Sequence, residues 1–315
     1  METVNCDLCG ADDAETVFVE RDRLHYIDGT FCLVRCRRCG LMYLNPRPTI
    51  EEMARYYPND YHAYKVDEHL SVITRLDHHY GIIKRCRAVM AYASSKGGRI
   101  LDIGCSTGSF LDAMRRRGWE PYGVEINAGA ANYAREHIGL NVFAGTLIDA
   151  HYPDAFFDVV TLWNVLEHLH QPQATLFEIG RIIRQEGLLV ISLPNPDCIE
   201  AKIFGRYWAG LDAPRHLYIY SRHTLQQALA RAGFVIKKIT SFTGRHHVLA
   251  LSLGYWFDDQ VPDEKLRRWL KRAVKSLPLR LLTLPYYAIA DRWNQSSVMT
   301  IFAQANKRIG YEGSS

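Results

Sequence analysis

Residues 99–110, "RILDIGCSTGSF", decide the fold. Ile100, Leu101 and Ile103 make a short apolar run that reads as a buried strand. Gly104 and Gly108 punctuate the turn that follows, and "SFLDAMRRRG" continues as a helix. A strand entering a glycine-interrupted loop that opens a helix is how nucleotide-binding parallel sheets begin. The stretch itself does not name the nucleotide.

Downstream of it, strands and helices alternate. "EPYGVEI", "NVFAG", "FDVVTLW" and "GLLVISL" read as four more strands, separated by helical stretches such as "AGAANYAREHIG" and "PQATLFEIGRIIRQ". In the last of these Leu176, Ile179 and Ile183 share one face. This alternation predicts an α/β fold, a parallel sheet with helices on both sides. An irregular piece at 194–220 precedes the helix "SRHTLQQALARAG". Two further strand-like runs, "FVIKKITSF" and "SVMTIFAQAN", flank a helical insertion near 258–293.

The chemistry of the loop narrows the cofactor. Asp102 places a carboxylate beside the glycines, where it would repel a pyrophosphate. S-adenosylmethionine, with an ammonium and a sulfonium and no phosphate, is the better electrostatic match. Glu125, ending the second strand in "GVEIN", sits where an acid accepts hydrogen bonds from ribose hydroxyls. The plainer reading, glycines that only shape a turn and a solvated Glu125, leaves Asp102, Glu125 and the five-strand frame unconnected.

Four of the eight cysteines form two C-x-x-C pairs, Cys6/Cys9 and Cys36/Cys39, each followed by a glycine. Together they supply four thiolates for a tetrahedral zinc, with no open position, which makes the metal structural. Cys32 is the competing ligand. The chain then divides into a zinc-binding module at 1–45, a helical linker or lid at 46–96, an S-adenosylmethionine-binding core at 97–250, and a helical insertion with the final strand at 251–315. In the linker, Val72, Ile73, Leu76, Tyr80 and Ile83 fall at helical spacing.

The motifs "RILDIGCSTGSFL", "GVEIN", "GTLIDA", "FFDVVTLWNVLEHL", "GLLVISLPN" and "TLQQALARAGF" resemble the class I S-adenosylmethionine-dependent methyltransferases, over about 97–250 and the final strand. The resemblance implies a Rossmann-like seven-stranded sheet. It also implies that Asp102, Gly104 and Gly108 hold the methionine end and that Glu125 and Ile126 hold ribose and adenine. By the same resemblance Thr146 and Leu147 border the adenine, and Asn164 lies near the methionine moiety. Ser106 stands where glycine is commoner. The cysteine module, "NPRPTIEEMARYY" and "DAPRHLYIYS" resemble bacterial enzymes of polysaccharide and deoxysugar pathways, which include sugar C-methyltransferases.

Methyl transfer to a hydroxyl or carbon acid needs a base, and histidine suits that near neutral pH. His216, in the irregular stretch after the fifth strand, is the first candidate, with Tyr218 beside it by the sugar-enzyme resemblance and Tyr220 able to orient an acceptor oxygen. His168, following Glu167 in "NVLEHL", is the second. Some quinone O-methyltransferases bind magnesium here through E-x-x-E-H, and this chain has Asn164 in place of the first glutamate. Tyr57, Tyr61 and Tyr64 make a lid or a packed cluster, with Tyr61 the choice for substrate contact.

Composition sets the outer bounds. The 315 residues, 48% hydrophobic, carry 38 basic and 34 acidic side chains, a mild excess of +4. No apolar run reaches the roughly 20 residues of a membrane span, and the N-terminus lacks a basic-then-apolar leader. The expectation is a cytoplasmic enzyme acting on a small-molecule or glycan-intermediate acceptor. "EKLRRWLKRAVKSL" places Leu266, Trp269, Leu270, Ala273, Val274 and Leu277 on one helical face with cations around it. Such a helix packs on its own domain or, across 264–290, rests on the inner membrane face. An RNA methyltransferase with a zinc module and a non-catalytic binding protein are the competing classes. The modest charge and "WNVL" where an "NPPY"-type motif would stand argue against RNA.

Overall fold

The structure is a computed structural model that describes residues 1–57, 72–241 and 245–306. Tyr61 and Tyr64, expected in the lid, lie outside the described residues. Near the N-terminus, β1 (Ala14–Glu20), β2 (Phe31–Cys36) and β3 (Met42–Leu44) form an antiparallel ribbon. A short helix α1 (Ile50–Met53) follows, closed by a capping box between Thr49 and Glu52. The long helix α2 (Val72–Tyr92) then leads to the nucleotide-type strand.

That strand, β4 (Gly98–Ile103), and its successors alternate as the sequence predicts: α3 (Ser109–Arg115), β5 (Trp119–Glu125), α4 (Ala128–Glu136), β6 (Asn141–Ala144), β7 (Phe157–Trp163), α5 (Pro172–Ile182) and β8 (Ile183–Pro194). After β8 come α6 (Ile199–Phe204), two 3-10 turns at 205–211, and β9 (Tyr218–Ile219). Next are α7 (Arg222–Arg231), β10 (Phe234–Thr240), α8 (Arg245–Gln260), α9 (Glu264–Val274), α10 (Leu277–Leu282), α11 (Leu284–Arg292) and β11 (Val298–Ala305).

The main sheet has seven strands in the order β10-β11-β8-β7-β4-β5-β6. Strands β4 to β8 run parallel, and β11 enters antiparallel between β8 and β10. Chain order reverses at β4, so the crevice beyond the carboxyl ends of β4 and β7 is the topological switch point. The central strands are apolar on both faces: Ile100, Leu101, Val159, Val160, Leu189, Val190 and Ile191 are fully buried. Each such side chain contributes roughly 1.5–3 kcal/mol.

The irregular piece at 194–220 holds an unexpected strand. β9 pairs with β3 and completes a four-stranded sheet, β1-β2-β3-β9. The N-terminal module is thus closed by residues from the far side of the chain, and one core cluster runs from Cys6 and Leu8 through Leu217 and Tyr220 to Leu193.

Three local readings need correction. Leu76 and Tyr80 are exposed, and the buried stripe of α2 is Ile82, Cys86 and Val89. The second half of the helix packs on the sheet, and its apolar residues follow a different phase. Ile183 is not helical but begins β8, although it is buried with Leu176 and Ile179. The late insertion starts at Arg245 rather than near 258, because the crowded apolar run "VLALSLGYWF" hides its period.

In α9 the apolar face divides. Val274 is buried and Leu270 partly so, packing with Ala250 and Phe257 of α8. Leu266 and Trp269 are instead exposed, as is Leu277 at the start of α10. Among the described residues no helix is long and apolar enough to cross a membrane.

Candidate active site

The crevice at the ends of β4 and β5 is built by hydrogen bonds between strand ends and loop backbone. Asp102 lies opposite Thr161 in the β4–β7 register, and Thr161 Oγ1 donates to Asp102 Oδ1 at 2.6 Å. Burial pushes the Asp102 carboxyl up to about 7, against the pull of Thr161 and the Arg85 charge. Gly104 and Gly108 both have positive φ. A Cβ on Gly104 would stand 2.5 Å from Val165, and one on Gly108 2.4 Å from Leu140, so neither position accepts a side chain.

Ser106 is also left-handed, at φ 51°, which is why glycine is easier there. Its N–H donates to Glu125 Oε2 at 2.8 Å, and the N–H of Asn127 donates to Oε1 at 2.8 Å. Two backbone donors therefore fix the Glu125 carboxylate at the strand end, while burial raises its pKa. Asn127 in turn caps α4 through Ala130 N–H. Ile126 and Thr146 are exposed on the rim, Leu147 is buried beneath it, and Asn164, at φ 55°, is exposed after β7.

Sequence motifs did not single out Arg85. It rises from α2 with its guanidinium 5.0 Å from the Trp163 ring centroid. Its Nε is buried with no hydrogen-bond partner, and its charge is felt at Asp102. The linker helix carries no motif at this point, so only the packing of α2 onto the sheet reveals it.

A second cluster gathers at the mouth beside β7 and β8. His168 and His216 meet edge to face, with ring centroids 4.7 Å apart. His216 Nδ1–H donates to the Gly210 carbonyl at 2.8 Å, and His168 Nδ1–H donates to the Arg215 carbonyl at 2.9 Å. The Tyr57 hydroxyl lies 2.9 Å from the same His168 nitrogen. Carbonyl acceptors place the proton on Nδ1 of each ring and leave the Nε2 lone pairs unprotonated. Burial holds both imidazoles below their ordinary value, His168 at about 3. A carboxyl oxygen of the fully buried Glu167 lies within 4.8 Å of a nitrogen of each ring, and neither of its carboxyl oxygens is hydrogen-bonded. Burial lifts it to about 8.

Asp212 supports this pair. It sits four residues before His216, with Oδ2 4.0 Å from His216 Nε2. Burial works to raise its pKa, but the charge of Arg215 outweighs this and holds it low. Tyr218 is buried and turned to other partners: its hydroxyl accepts from Arg47 at 2.7 Å, and its ring stacks on Tyr43. Tyr220 is buried behind it, 6.1 Å away between ring centroids.

The four patterned cysteines converge. Cys6 Sγ lies 3.4 Å from Cys39 Sγ and Cys9 Sγ 3.5 Å from Cys36 Sγ, and none is in a disulfide. Each C-x-x-C turn closes with a glycine N–H on the first cysteine carbonyl, Gly10 to Cys6 and Gly40 to Cys36. Both glycines have positive φ. Cys32 stays outside this set.

The seven-stranded sheet, its switch-point crevice and the acid-lined glycine loop define a class I S-adenosylmethionine-dependent methyltransferase. The chain belongs to the methyltransferase domain family, whose model matches residues 77–239, just over half of its length. It is similar to the ubiquinone biosynthesis O-methyltransferase of Azoarcus sp., at 29% identity over 161 residues, 47% of this chain and 68% of that protein. The mitochondrial ubiquinone biosynthesis O-methyltransferase of Schizosaccharomyces pombe is 35% identical over 103 residues, 30% of this chain and 38% of that protein. The chain therefore spans well under two thirds of the second relative. Among solved structures, geranyl diphosphate C-methyltransferase from Streptomyces coelicolor A3(2) has a TM-score of 0.49 at 14% identity, covering 78% of this chain and 88% of that one.

Proposed function

We propose that this methyltransferase acts on a small polar, carbohydrate-type acceptor and that His216 is the base that takes the acceptor's proton. The observation that carries the assignment is the pair of neutral imidazoles, each with Nδ1 tied to a backbone carbonyl and Nε2 left to accept a proton. His216 is the better base because Asp212, 4.0 Å away, stabilises the imidazolium that forms. His168 has its basicity suppressed to about 3 and serves as a wall. Glu167, raised to about 8, is a neutral acid at pH 7, able to donate a hydrogen bond to an acceptor oxygen. Tyr218 then acts by positioning rather than by proton removal, since Arg47 already engages its hydroxyl.

S-adenosylmethionine supplies the electrophilic methyl group. The residues at the crevice match its charges: Asp102 for the ammonium, Arg85, whose Nε has no hydrogen-bond partner, for the carboxylate, and Glu125 for the ribose hydroxyls. Gly104 and Gly108 let backbone approach the methionine end, Asn164 lies beside it, and Ile126, Thr146 and Leu147 border the base.

Zinc held by Cys6, Cys9, Cys36 and Cys39 is part of the same reading. Their interleaved 3.4–3.5 Å sulfur pairs suit a tetrahedral ion with bonds of about 2.3 Å. Four thiolates leave no position for substrate, so the ion would brace the module.

A quinol-type acceptor is the second reading, favoured by the names of the curated relatives. The pocket next to Asp212 combines charged side chains (Glu20, Arg21, Arg23, Arg206) with apolar and aromatic ones (Trp208, Leu211, Ala213, Tyr255) and so favours neither acceptor. Labelled-methyl transfer to a panel of nucleotide sugars and to a demethylated quinol decides between them. Label in the quinol alone would overturn the carbohydrate reading.

A further inference from the structure

A cleft of about 340 Å³ opens between β1, the loop after it, the turn at 205–207 and the end of α8. Three arginines face it: Arg21 and Arg23 from the N-terminal module and Arg206 from the segment after β8. We propose that this cleft binds the phosphate or diphosphate group of the methyl acceptor, through Arg21, Arg23 and Arg206. This deepens the polar-acceptor reading and rests on it.

The charge arrangement supports an anionic occupant. Glu20 accepts from Arg23 and from Arg206, both at 3.1 Å, and Asp259 accepts from Arg21 at 2.6 Å and Arg23 at 3.1 Å. Three guanidiniums thus share two carboxylates, leaving one positive charge over. The acids hold the arginines side by side without neutralising them. Arg23 is the buried centre of the set, over the Tyr207 ring at 4.9 Å. Arg21 and Arg206 are about half exposed, at 57% and 49%. A guanidinium has five N–H donors in a planar fork suited to phosphate. Arg21 engages one carboxylate, and Arg206 one carboxylate and the Val19 carbonyl, so both keep donors for a ligand.

The cleft also borders the residues that support the base. It adjoins a much smaller pocket, of about 10 Å³, lined by Trp208, Leu211, Asp212 and Tyr255 as well as by the arginines. Asp212 is the residue 4.0 Å from His216 Nε2. A phosphate held at the arginines therefore lies beside the pocket wall that carries Asp212, the support of the base. The two sources of such a group are a nucleoside diphosphate and a prenyl diphosphate, and both present the same anion to the cleft.

Calorimetry on the full-length protein, saturated with S-adenosylhomocysteine, tests this with inorganic pyrophosphate, uridine diphosphate, thymidine diphosphate and farnesyl diphosphate. At least one should bind, and more weakly as salt rises. The Arg21→Ala/Arg206→Ala double variant should bind it at least tenfold more weakly. S-adenosylhomocysteine affinity should stay unchanged, which certifies the fold. Preference for the nucleotides or for the farnesyl compound identifies the source, and either supports the proposal. Absence of binding in all four arms, or equal binding by the variant, would overturn it. If diphosphates bind as expected and no phosphorylated sugar is methylated, the cleft stands and the carbohydrate reading alone fails.

Discussion

Arg215 and Asp22 form a fully buried ion pair across 193 positions of sequence, with Nη2 2.7 Å from Oδ1 and Nη1 3.2 Å from Oδ2. The same guanidinium holds Asp212 at 2.7 and 3.0 Å, and its carbonyl accepts the His168 proton. One residue thus ties the N-terminal module to the histidine pair, its side chain through Asp212 and its backbone carbonyl through His168.

Arg215→Ala leaves two buried carboxylates without their counter-charge. Such a loss typically costs about 3–5 kcal/mol. Urea unfolding should show a drop of that order at pH 7. Arg215 holds both Asp22 and Asp212 below the ordinary carboxylate range. Between the folded and unfolded values the unfolded chain binds more protons, so this stability is complete above about pH 4 and lost as pH falls further. The variant should therefore lose part of the acid limb of the wild-type stability curve. An unchanged limb would dismiss the pair as its source.

Asp102 makes the opposite contribution. Its folded value of about 7 lies above the ordinary 3.8, so the folded state keeps a proton that the unfolded state has released. Stability from this group falls as pH rises from about 4 to 7, at about 1.4 kcal/mol per unit. Asp102→Asn should stabilise the cofactor-free protein at pH 8 while weakening S-adenosylmethionine binding, because the ammonium loses its partner. Thermal melts with and without cofactor measure both. A variant less stable without cofactor would contradict the account.

The strand–loop–helix stretch made the main sheet legible, because its strands are apolar runs broken by glycine turns and its candidate binding residues sit at strand ends. Asp102, Glu125 and the cysteine pairs carry their meaning in local spacing. Arg85 and Asp22 carry none: each acts through a partner far away in sequence or on another element, whereas Asp212 acts on Arg215 and His216, three and four residues further on. β9 was equally hidden, since two residues are too short for a period and their partner strand lies 175 positions earlier in the Tyr43–Tyr218 register. Ser106 is the instructive case. It departs from the commoner glycine at φ 51°, yet keeps the backbone N–H that, with that of Asn127, holds Glu125.

Glu125→Ala removes the acceptor proposed for the ribose hydroxyls and also frees the Ser106 and Asn127 N–H groups. Hydrogen bonds to a charged group contribute about 1.5–3 kcal/mol each. Affinity for S-adenosylhomocysteine should drop by about 10- to 100-fold by calorimetry, with far-ultraviolet circular dichroism unchanged. Normal affinity would remove Glu125 from the ribose site.

His216→Ala should keep cofactor affinity and lose turnover by about 10²- to 10⁴-fold, the range of general-base catalysis. Because burial holds the imidazole below 6.5, its base form persists under acid conditions. The kcat/KM profile should stay level through pH 6.5 and decline only below it. A decline centred at or above 6.5 would point to a solvated base, and unaltered turnover in the variant would move the role to His168.

The zinc proposal reaches the active site through β9. Cys36 ends β2, β2 pairs with β3, and β3 pairs with Tyr218 and Ile219, two and three residues after His216. The Leu44 N–H also donates to the Leu217 carbonyl at 2.9 Å. Loosening the cysteine knot should therefore shift His216 while leaving the β4–β5 crevice intact. Cys6→Ser with Cys39→Ser should abolish the one zinc per chain that elemental analysis is expected to find. Turnover should drop at least tenfold, while S-adenosylhomocysteine affinity changes less than threefold. Equal losses of turnover and affinity would mean that the module supports the whole fold rather than the acceptor side, and an absence of zinc in the wild type would end the assignment.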